Sequence, residues 1–305
     1  MSLSWDRKGR FAVVKFGKVL TAMVTPFNQD LKVDYQRAQE LVVRLIESGS
    51  DGVIVAGTTG ESPTLSKKEK LNLFRAVVEA IGGKGTVIAG TGSYDTAASV
   101  ELTKEAEKTG VDGFLLVAPY YNKPSQEGLY RHFKEIAGAT SLPAIIYNIP
   151  GRTGVNISVD TMARLAEIEN VVGVKESSGN LAQVSEIFEK TPPGFLIYSG
   201  DDALTLPIMS VGGVGVISVA GHIAGRKIQE MVSAYERGEV GKAAEINASL
   251  GPLFRALFIN TNPIMVKTAC NLVGLKVGGL RLPLVEASEK ETEIMREVLK
   301  KLGLL

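Results

Sequence analysis

Apolar residues gather along this chain into eight short runs rich in valine, isoleucine and leucine. The runs lie at 19–26, 52–57, 86–90, 113–119, 143–148, 171–177, 195–200 and 214–220. Each run has the length of a strand, and each gap between runs is long enough to hold a helix. A continuous apolar run indicates a strand of a parallel sheet whose two faces are both covered. The pattern therefore predicts eight parallel strands.

Segments with helical periodicity separate these runs. The segment 34–48 repeats apolar residues at helical spacing, with Asp34 placed to cap its start and Gly49 placed to end it. Ser66 and Glu69 have the spacing of a capping box at the start of the next helix. Eight strands in alternation with helices predict an α/β fold, a closed (β/α)8 TIM barrel, in preference to an open doubly wound sheet.

The chain continues beyond the eighth run with further helical patterns. These patterns cover 224–237, 240–257, 262–274 and 286–303. We therefore expect an N-terminal leader over 1–16, a catalytic barrel over 17–224 and a C-terminal helical domain over 225–305. Because no Pro/Ser-rich linker separates the last two, we expect the helical extension to pack on the barrel.

Composition and charge narrow the class of protein. The 305 residues include 34 Lys and Arg against 33 Asp and Glu, a balance that argues against nucleic-acid binding. Cys270 is the only cysteine, and His132 and His222 lie far apart, so a cysteine- or histidine-ligated metal is not expected. Asp201 and Asp202 lack a further carboxylate nearby and are interpreted as loop or cap residues. We expect a cytoplasmic metabolic protein without a metal.

Neither the N-terminal segment nor the long uncharged stretch of this chain indicates a membrane protein. The first ten residues, MSLSWDRKGR, are charged and lead into no apolar segment, unlike a secretion signal. The stretch 203–225 has no Asp, Glu, Lys or Arg and is long enough to span a bilayer. However, Pro207 and several glycines divide it into a short helix, a Gly-Gly turn and a strand. We expect no membrane contact.

Lys175 is the strongest candidate for a catalytic residue. It stands near the carboxyl end of a predicted strand, which is where active sites of (β/α)8 barrels lie. It ends an apolar run, and strand alternation places it on the same face as Gly173 and Val171. If that face is the barrel interior, the low dielectric favours a neutral amine, which attacks ketones to form a Schiff base. The alternative is a lysine that extends to solvent or pairs with Glu176.

Other polar residues follow the neighbouring runs. Thr58 and Thr59 stand between two glycines, where hydroxyl and N–H groups can bind a carboxylate, or where they simply cap a helix. Tyr147 can relay protons beside a lysine imine, or can be a core tyrosine. Arg152 offers a fork for a second carboxylate, or is a surface arginine. No P-loop or dinucleotide-binding motif is present.

The motifs around these residues occur together in one order. They are GTTGES (57–62), PYYNKP (119–124), YNIPGRTG (147–154), VKES (174–177) and SGDD (199–202). In these motifs the chain resembles the dihydrodipicolinate synthase family of pyruvate-dependent class I aldolases. The resemblance extends from about residue 18 to the C-terminus. It implies a lyase of lysine and diaminopimelate biosynthesis that condenses pyruvate with L-aspartate-4-semialdehyde to give 4-hydroxy-tetrahydrodipicolinate.

The resemblance also implies roles for individual residues. Lys175 would form an imine with the ketone carbon of pyruvate, which makes a separate cofactor unnecessary. Thr58 and Thr59 would hold the pyruvate carboxylate. Tyr147, Thr59 and Tyr121 would relay protons, with Tyr121 reaching in from a neighbouring subunit. The implied assembly is a homotetramer built as a dimer of dimers.

The remaining implied residues surround the second substrate. Arg152 would anchor the carboxylate of the semialdehyde, and Gly200 and Ile217 match positions near the imine and the substrate carboxylate. Sister enzymes, N-acetylneuraminate lyase and the 2-keto-3-deoxy sugar acid aldolases, share the lysine and the strand tyrosine. The Thr58–Thr59 pair and Arg152 favour the synthase. A non-catalytic small-molecule-binding barrel is the alternative from a different class, and replacement of Lys175 or Tyr147 would have favoured it.

One departure concerns regulation. Lysine-inhibited members of the family carry an asparagine, a glutamate and a histidine where this chain has Tyr94, Ala98 and Lys67. A site for a cationic amino acid has therefore lost a carboxylate and gained an ammonium, which repels the ligand. We expect weak or absent feedback inhibition by lysine.

Overall fold

The structure, a computed structural model, describes residues 16–305. Within that range eight strands form one closed barrel in chain order. They are β1 (Val19–Ala22), β2 (Gly52–Val55), β3 (Thr86–Gly90), β4 (Gly113–Val117), β5 (Ala144–Asn148), β6 (Val171–Glu176), β7 (Leu196–Ser199) and β8 (Gly215–Ser218). Each strand lies inside one of the predicted apolar runs, so the prediction of a (β/α)8 barrel is confirmed.

The strands are buried on both faces. All neighbouring pairs run parallel, and β8 pairs back with β1 to close the barrel. The inner layer of side chains includes Leu20, Ile54, Ile88, Leu115, Ile145 and Ile217. The outward side chains of the strands pack in a larger cluster against the helices. This double burial explains why the runs are apolar throughout and do not alternate with polar residues.

The first two helices of the barrel have the predicted caps. The helices of the barrel are α1 (Tyr35–Glu47), α2 (Lys67–Ile81), α3 (Thr96–Glu107), α4 (Gln126–Ala137), α5 (Pro150–Thr153), α6 (Val159–Ala166), α7 (Leu181–Lys190), α8 (Thr205–Ser210) and α9 (Gly221–Glu236). Asp34 caps α1 by accepting from the N–H of Arg37 at 3.0 Å. Gly49 follows α1 with φ +105°, a conformation that favours glycine. Ser66 and Glu69 form the capping box of α2.

Three more helices complete the described chain. They are α10 (Val240–Ala256), α11 (Ile264–Leu272) and α12 (Glu289–Lys301). Helix α10 packs along α9, and α12 packs against α10 and α11. Helix α9 itself packs on β1 and α1, so it is the helix that follows β8 in the barrel. The predicted boundary at residue 224 falls within α9, at the non-helical backbone of Ala224.

The start of β6 departs from the predicted alternation. Ala144 of β5 pairs with Val171, whereas the next residue, Ile145, pairs with Gly173, so the register shifts by one. As a result Val171 packs in the outer cluster and Val172 packs against the inner layer. The prediction that Val171 shares the face of Lys175 is therefore wrong, because a bulge reverses the alternation between them.

Residues 1–15, which make up most of the predicted leader, lie outside the described residues. Phe16 is buried in the inner layer, and the Tyr198 hydroxyl donates to the carbonyl of Gly17 at 2.7 Å. The uncharged stretch 203–225 forms α8, β8 and the start of α9. Across residues 16–305 no helix is long and apolar enough to cross a membrane.

Candidate active site

The carboxyl ends of the strands surround a cavity of about 210 Å³. Thr58 lines it from the turn after β2, Tyr147 from the end of β5, and Arg152 from α5. Three residues that are far apart in sequence, and that the motifs singled out, therefore face one space. The position is the one that (β/α)8 barrels use for chemistry.

Lys175 lies beside Tyr147, which lines this cavity. The two residues are direct partners in the β5–β6 register. Lys175 is 5% exposed and Tyr147 4%, and the Lys175 Nζ lies 4.3 Å from the centroid of the phenol ring. The lysine thus neither extends to solvent nor pairs with Glu176, which faces the opposite side of the strand. Both alternatives for Lys175 are excluded by this geometry.

Outward-facing neighbours fix the register of this pair. Glu176, which follows Lys175, accepts a hydrogen bond from Asn148 Nδ2 at 3.1 Å and another from Gln183 Nε2 at 3.3 Å. Asn148 in turn follows Tyr147. The carboxyl ends of β5 and β6 are therefore joined through a buried carboxylate with amide donors, which holds Lys175 opposite Tyr147.

Thr58 and Thr59 occupy a tight turn that the first strand holds in place. Thr25, just past β1, donates from Oγ1 to the carbonyl of Gly60 at 2.6 Å. Neither threonine caps a helix among the described residues, since Ser66 caps α2 and the 3-10 helix before it has no side-chain cap. Within residues 16–305 the N–H groups of Thr58 and Thr59 have no acceptor. The turn therefore offers N–H and hydroxyl groups to an anion.

The C-terminal helices also reach this site, which the sequence motifs did not indicate. Asn262, two residues before α11, is 6% exposed and donates from Nδ2 to Thr59 Oγ1 at 2.9 Å. Its backbone carbonyl accepts from Arg152 Nη2 at 3.1 Å. Polar residues often precede apolar helices, so the sequence pattern alone could not identify Asn262 as a site residue.

A buried ion pair also joins the turn after β2 to the C-terminal helices. Lys267 Nζ of α11 lies 2.6 Å from Glu61 Oε1, and the two residues are 1% and 3% exposed. Lys267 also donates to the carbonyl of Gly279 at 2.7 Å and lies over the ring of Phe27. Burial lowers the pKa of Lys267, although Glu61 opposes the shift. The sequence signal for this ion pair was the single lysine in the largely apolar segment IMVKTACNL. A lysine buried in such a segment requires a partner of opposite charge.

Gly200 packs against Lys175, and Ile217 belongs to the inner layer of the barrel. A Cβ at Gly200 would overlap the hydroxyl of Ser177 and would lie 2.9 Å from Lys175 Cε. The glycine therefore makes room for the lysine stem. Ile217 of β8 is fully buried in the inner layer that also holds Tyr147.

Tyr121 neither lines the cavity nor packs against the residues that do so. Its side chain is 92% exposed, and its backbone has φ +73°. The preceding residue, Tyr120, lines the cavity and packs edge-to-face on Tyr94, with ring centroids 5.1 Å apart. Burial raises the pKa of Tyr120.

The two aspartates after β7 accept hydrogen bonds that stabilise the fold around them. Asp202 accepts from the hydroxyl of Ser218 and from the N–H groups of Val219 and Ala220, both at 3.0 Å. Burial raises the pKa of Asp202. Asp201 caps the short 3-10 turn that follows it. Across residues 16–305 no group of three His, Cys, Asp or Glu side chains is arranged to hold a metal ion.

Comparison with known proteins agrees with this geometry. Residues 15–302 match the sequence model of the Dihydrodipicolinate synthetase family. A 4-hydroxy-tetrahydrodipicolinate synthase from Desulforamulus reducens is 58% identical over 295 residues, which cover 96% of this chain and 100% of the relative. The similarity therefore includes both the barrel and the C-terminal helices.

Solved structures share the fold over the same length. A dihydrodipicolinate synthase from Bacillus anthracis has a TM-score of 0.92 and 49% identity, covering 94% of this chain and 98% of its own. A dihydrodipicolinate synthase from Cyanidioschyzon merolae with lysine bound has a TM-score of 0.94 and 48% identity, covering 95% and 99%. The chain belongs to the dihydrodipicolinate synthetase family.

Proposed function

We propose that this chain is a lyase that condenses pyruvate with L-aspartate-4-semialdehyde to give 4-hydroxy-tetrahydrodipicolinate. The observation that carries the proposal is the buried Lys175 with its Nζ 4.3 Å from the ring centroid of Tyr147, next to a cavity lined by Thr58 and Arg152. Relatives that match nearly the full chain and bear the name of this synthase support it.

The first half-reaction uses the lysine and the threonine turn. The pyruvate carboxylate binds the N–H groups of Thr58 and Thr59 and the hydroxyl of Thr58, which places the ketone carbon over Lys175. The neutral amine attacks that carbon, and the carbinolamine oxygen takes a proton from Tyr147 and leaves as water. The product is an imine on Lys175, so the covalent intermediate takes the place of a cofactor. Tyr147, with the relay behind it, then takes a proton from the methyl group, which gives the enamine.

The second half-reaction joins the two substrates. The enamine carbon adds to the aldehyde carbon of the semialdehyde, whose oxygen takes the proton back from Tyr147. Arg152 pairs with the carboxylate of this substrate through its guanidinium fork. The α-amine of the bound semialdehyde then attacks the imine carbon and displaces Lys175, which closes the ring and frees the enzyme. Gly200 and Ile217 supply the small, apolar floor that this crowded intermediate requires.

The complete site is proposed to form between subunits. Tyr121 is 92% exposed, which suits a side chain that enters the site of a neighbouring chain and joins Tyr147 and Thr59 in the proton relay. We accordingly propose a homo-oligomer, a tetramer made of two dimers, that acts in the cytoplasm.

The experiment that tests the activity compares aldehyde partners. Purified protein is given pyruvate with either L-aspartate-4-semialdehyde or the substrates of the sugar-acid aldolases, and product is followed by mass spectrometry. We expect turnover with the semialdehyde, and Arg152→Ala should raise its KM more than the KM for pyruvate. Preference for a sugar substrate would favour the sister aldolases. A folded protein that turns over neither would favour the binding barrel.

A further inference from the structure

Asn262 contacts two parts of the proposed active site at once. Its Nδ2 donates to Thr59 Oγ1 at 2.9 Å, and its backbone carbonyl accepts from Arg152 Nη2 at 3.1 Å. The residue is 6% exposed, and its Oδ1 has no hydrogen-bond partner within the described part of the chain. An amide held this deeply between two substrate-binding residues acts on the orientation of both.

The hydrogen bond to Thr59 decides where the threonine proton points. A hydroxyl has one proton to donate and two lone pairs that accept. Since the Asn262 amide occupies one lone pair of Thr59 Oγ1, the Thr59 proton is directed away from Asn262 and remains free for another acceptor. Thr59 is 2% exposed, so bulk water does not compete for this orientation.

We propose that Asn262 is a positioning residue that sets the direction of the Thr59 hydroxyl and thereby the direction of proton transfer between Thr59 and Tyr147. This inference rests on the proposed relay. When Tyr147 gives its proton to the departing water, Thr59 gives its own to the Tyr147 oxygen and receives one from Tyr121. If Thr59 instead donated to Asn262, this transfer would be blocked.

A second contact keeps Asn262 in register with the turn. Lys267 of α11 pairs with Glu61 of the turn at 2.6 Å, and both side chains are buried. The segment that carries Asn262 is thus attached to the turn that carries Thr59 at two points. A buried ion pair of this kind resists separation, because either charge left alone would be desolvated without compensation.

The first test replaces the amide. For Asn262→Ala we expect kcat to fall about 10- to 100-fold, below the full range of general acid–base catalysis, with a smaller change in the KM for pyruvate. The solvent deuterium isotope effect on kcat should rise, since proton transfer becomes more rate-limiting. Asn260 is the matched control, because it donates to Glu291 Oε1 at 2.8 Å on α12. Asn260→Ala should lose stability without changing kcat or the isotope effect.

A near-isosteric variant separates orientation from packing. In Asn262→Asp the carboxylate only accepts, so the Thr59 hydroxyl turns toward it and leaves Tyr147. We expect at least as large a loss of kcat as in the alanine variant, with a melting temperature near that of the parent protein. A folded Asn262→Asp protein with the parent kcat and isotope effect would overturn the proposal.

A double-mutant cycle tests whether Asn262 acts through Thr59. In a Thr59→Val background, which has no hydroxyl to orient, Asn262→Ala should cause little further loss of kcat; multiplying losses would contradict the inference. Borohydride trapping of pyruvate on Lys175 is run in parallel on the parent protein. Without an adduct, the proposed function and this inference fail together. With an adduct and full kcat in both Asn262 variants, only the inference fails.

Discussion

Lys175 and Tyr147 meet because two adjacent strands are held in one register. Their direct pairing across β5 and β6 follows the bulge at Val172, which brings Gly173 and Lys175 to the inner face. The outward contact of Asn148 with Glu176 then fixes the ends of both strands. The chemistry proposed for this pair thus depends on a strand irregularity and on an outward carboxylate, neither of which touches substrate.

Gly200 provides a residue-scale test of this arrangement. A methyl group at Gly200 would lie 2.9 Å from Lys175 Cε and 3.1 Å from its Cγ. We predict that Gly200→Ala displaces the lysine and lowers kcat/KM for pyruvate by about 100-fold, the cost of roughly 1 Å of misplacement. The measurement is steady-state kinetics together with the rate of imine trapping.

The control for this substitution is a glycine with free space around it. Gly241 of α10 has no heavy atom within 4 Å of an added Cβ. Gly241→Ala should leave kcat/KM unchanged and stabilise the helix slightly. Parent-like trapping in Gly200→Ala would contradict the proposed position of the lysine stem.

His222 makes the fold sensitive to acid. Its Nε2 accepts from the N–H of Val24 at 3.1 Å, so the proton is on Nδ1, which donates to the carbonyl of Val219 at 2.9 Å. Burial lowers the pKa of His222 from 6.5 to about 4. Between these values the unfolded chain binds a proton that the folded chain does not, so the free energy of unfolding falls as the pH falls from 6.5 to 4.

Urea unfolding across this pH range checks the expectation. The shift corresponds to roughly 3 kcal/mol between its two limits, and His132, whose pKa burial also lowers to about 4, adds to the same trend. His222→Asn should remove its share, giving a shallower loss between pH 6.5 and pH 4. An unchanged slope in that variant would show that His222 is not the titrating group.

Residue identity alone revealed the site only in part. Lys175, Tyr147, Thr58 and Arg152 stand at strand ends or in the loops that follow, so their convergence could be predicted from the barrel. Asn262 could not, because its contact with Thr59 depends on how the segment before α11 packs over the barrel mouth. Such packing is set by many weak contacts that leave no periodic signal in the sequence.

At the scale of elements, hydrophobic periodicity was a reliable guide. Every strand lies inside its predicted run, and the cap residues of α1 and α2 are as predicted. The boundaries near residue 224 were harder to place. Helix α9 begins at Gly221 and bends at Ala224, and its apolar face serves both the barrel and α10. A pattern shared by two packing partners cannot mark a division between them.

The surface between α2 and α3 carries the positions at which this chain differs from lysine-inhibited members of the family. Lys67 Nζ lies 2.8 Å from both Glu101 Oε1 and Glu105 Oε1, and these bonds raise the pKa of Lys67 to about 12. Lys67, Tyr94 and Ala98 line one shallow pocket there. The ammonium of Lys67 already occupies the two carboxylates, and Ala98 supplies none.

We therefore predict that lysine does not inhibit the enzyme in the sub-millimolar range. Initial rates with both substrates are measured against increasing L-lysine, with the related L-arginine as a control for ionic strength. A dose-dependent loss of activity with sub-millimolar lysine alone would refute the prediction. In that case lysine would find compensating groups outside the three substituted positions.

For the molecule as a whole, the exposure of Tyr121 is the basis of our proposal that a second chain completes the site. Its side chain is 92% exposed beside the loop that carries Asn122, whose amide donates to the carbonyl of Tyr94 at 3.1 Å. This contact ties the loop to the chain while leaving the phenol outside. An exposed aromatic side chain of this kind is a frequent component of subunit interfaces.

Subunit complementation tests this directly. Lys175→Ala and Tyr121→Phe chains, each of low activity, are mixed under conditions that exchange subunits. A mixed dimer contains one site with Lys175 from one chain and Tyr121 from the other, so we predict that activity recovers above the sum of the separate variants. Absence of recovery, with exchange verified by native mass spectrometry, would place Tyr121 outside the relay of the neighbouring subunit.

The proposed covalent bond between pyruvate and Lys175 is tested by borohydride reduction followed by peptide mass mapping. The protein is incubated with pyruvate and sodium borohydride, digested and sequenced by tandem mass spectrometry. The comparison is the double variant Lys267→Met, Glu61→Gln, which removes the other buried lysine of residues 16–305 together with the charge of its partner. We predict one reduced pyruvyl adduct, on Lys175, in both proteins. An adduct on another lysine, or none on folded protein, would contradict it.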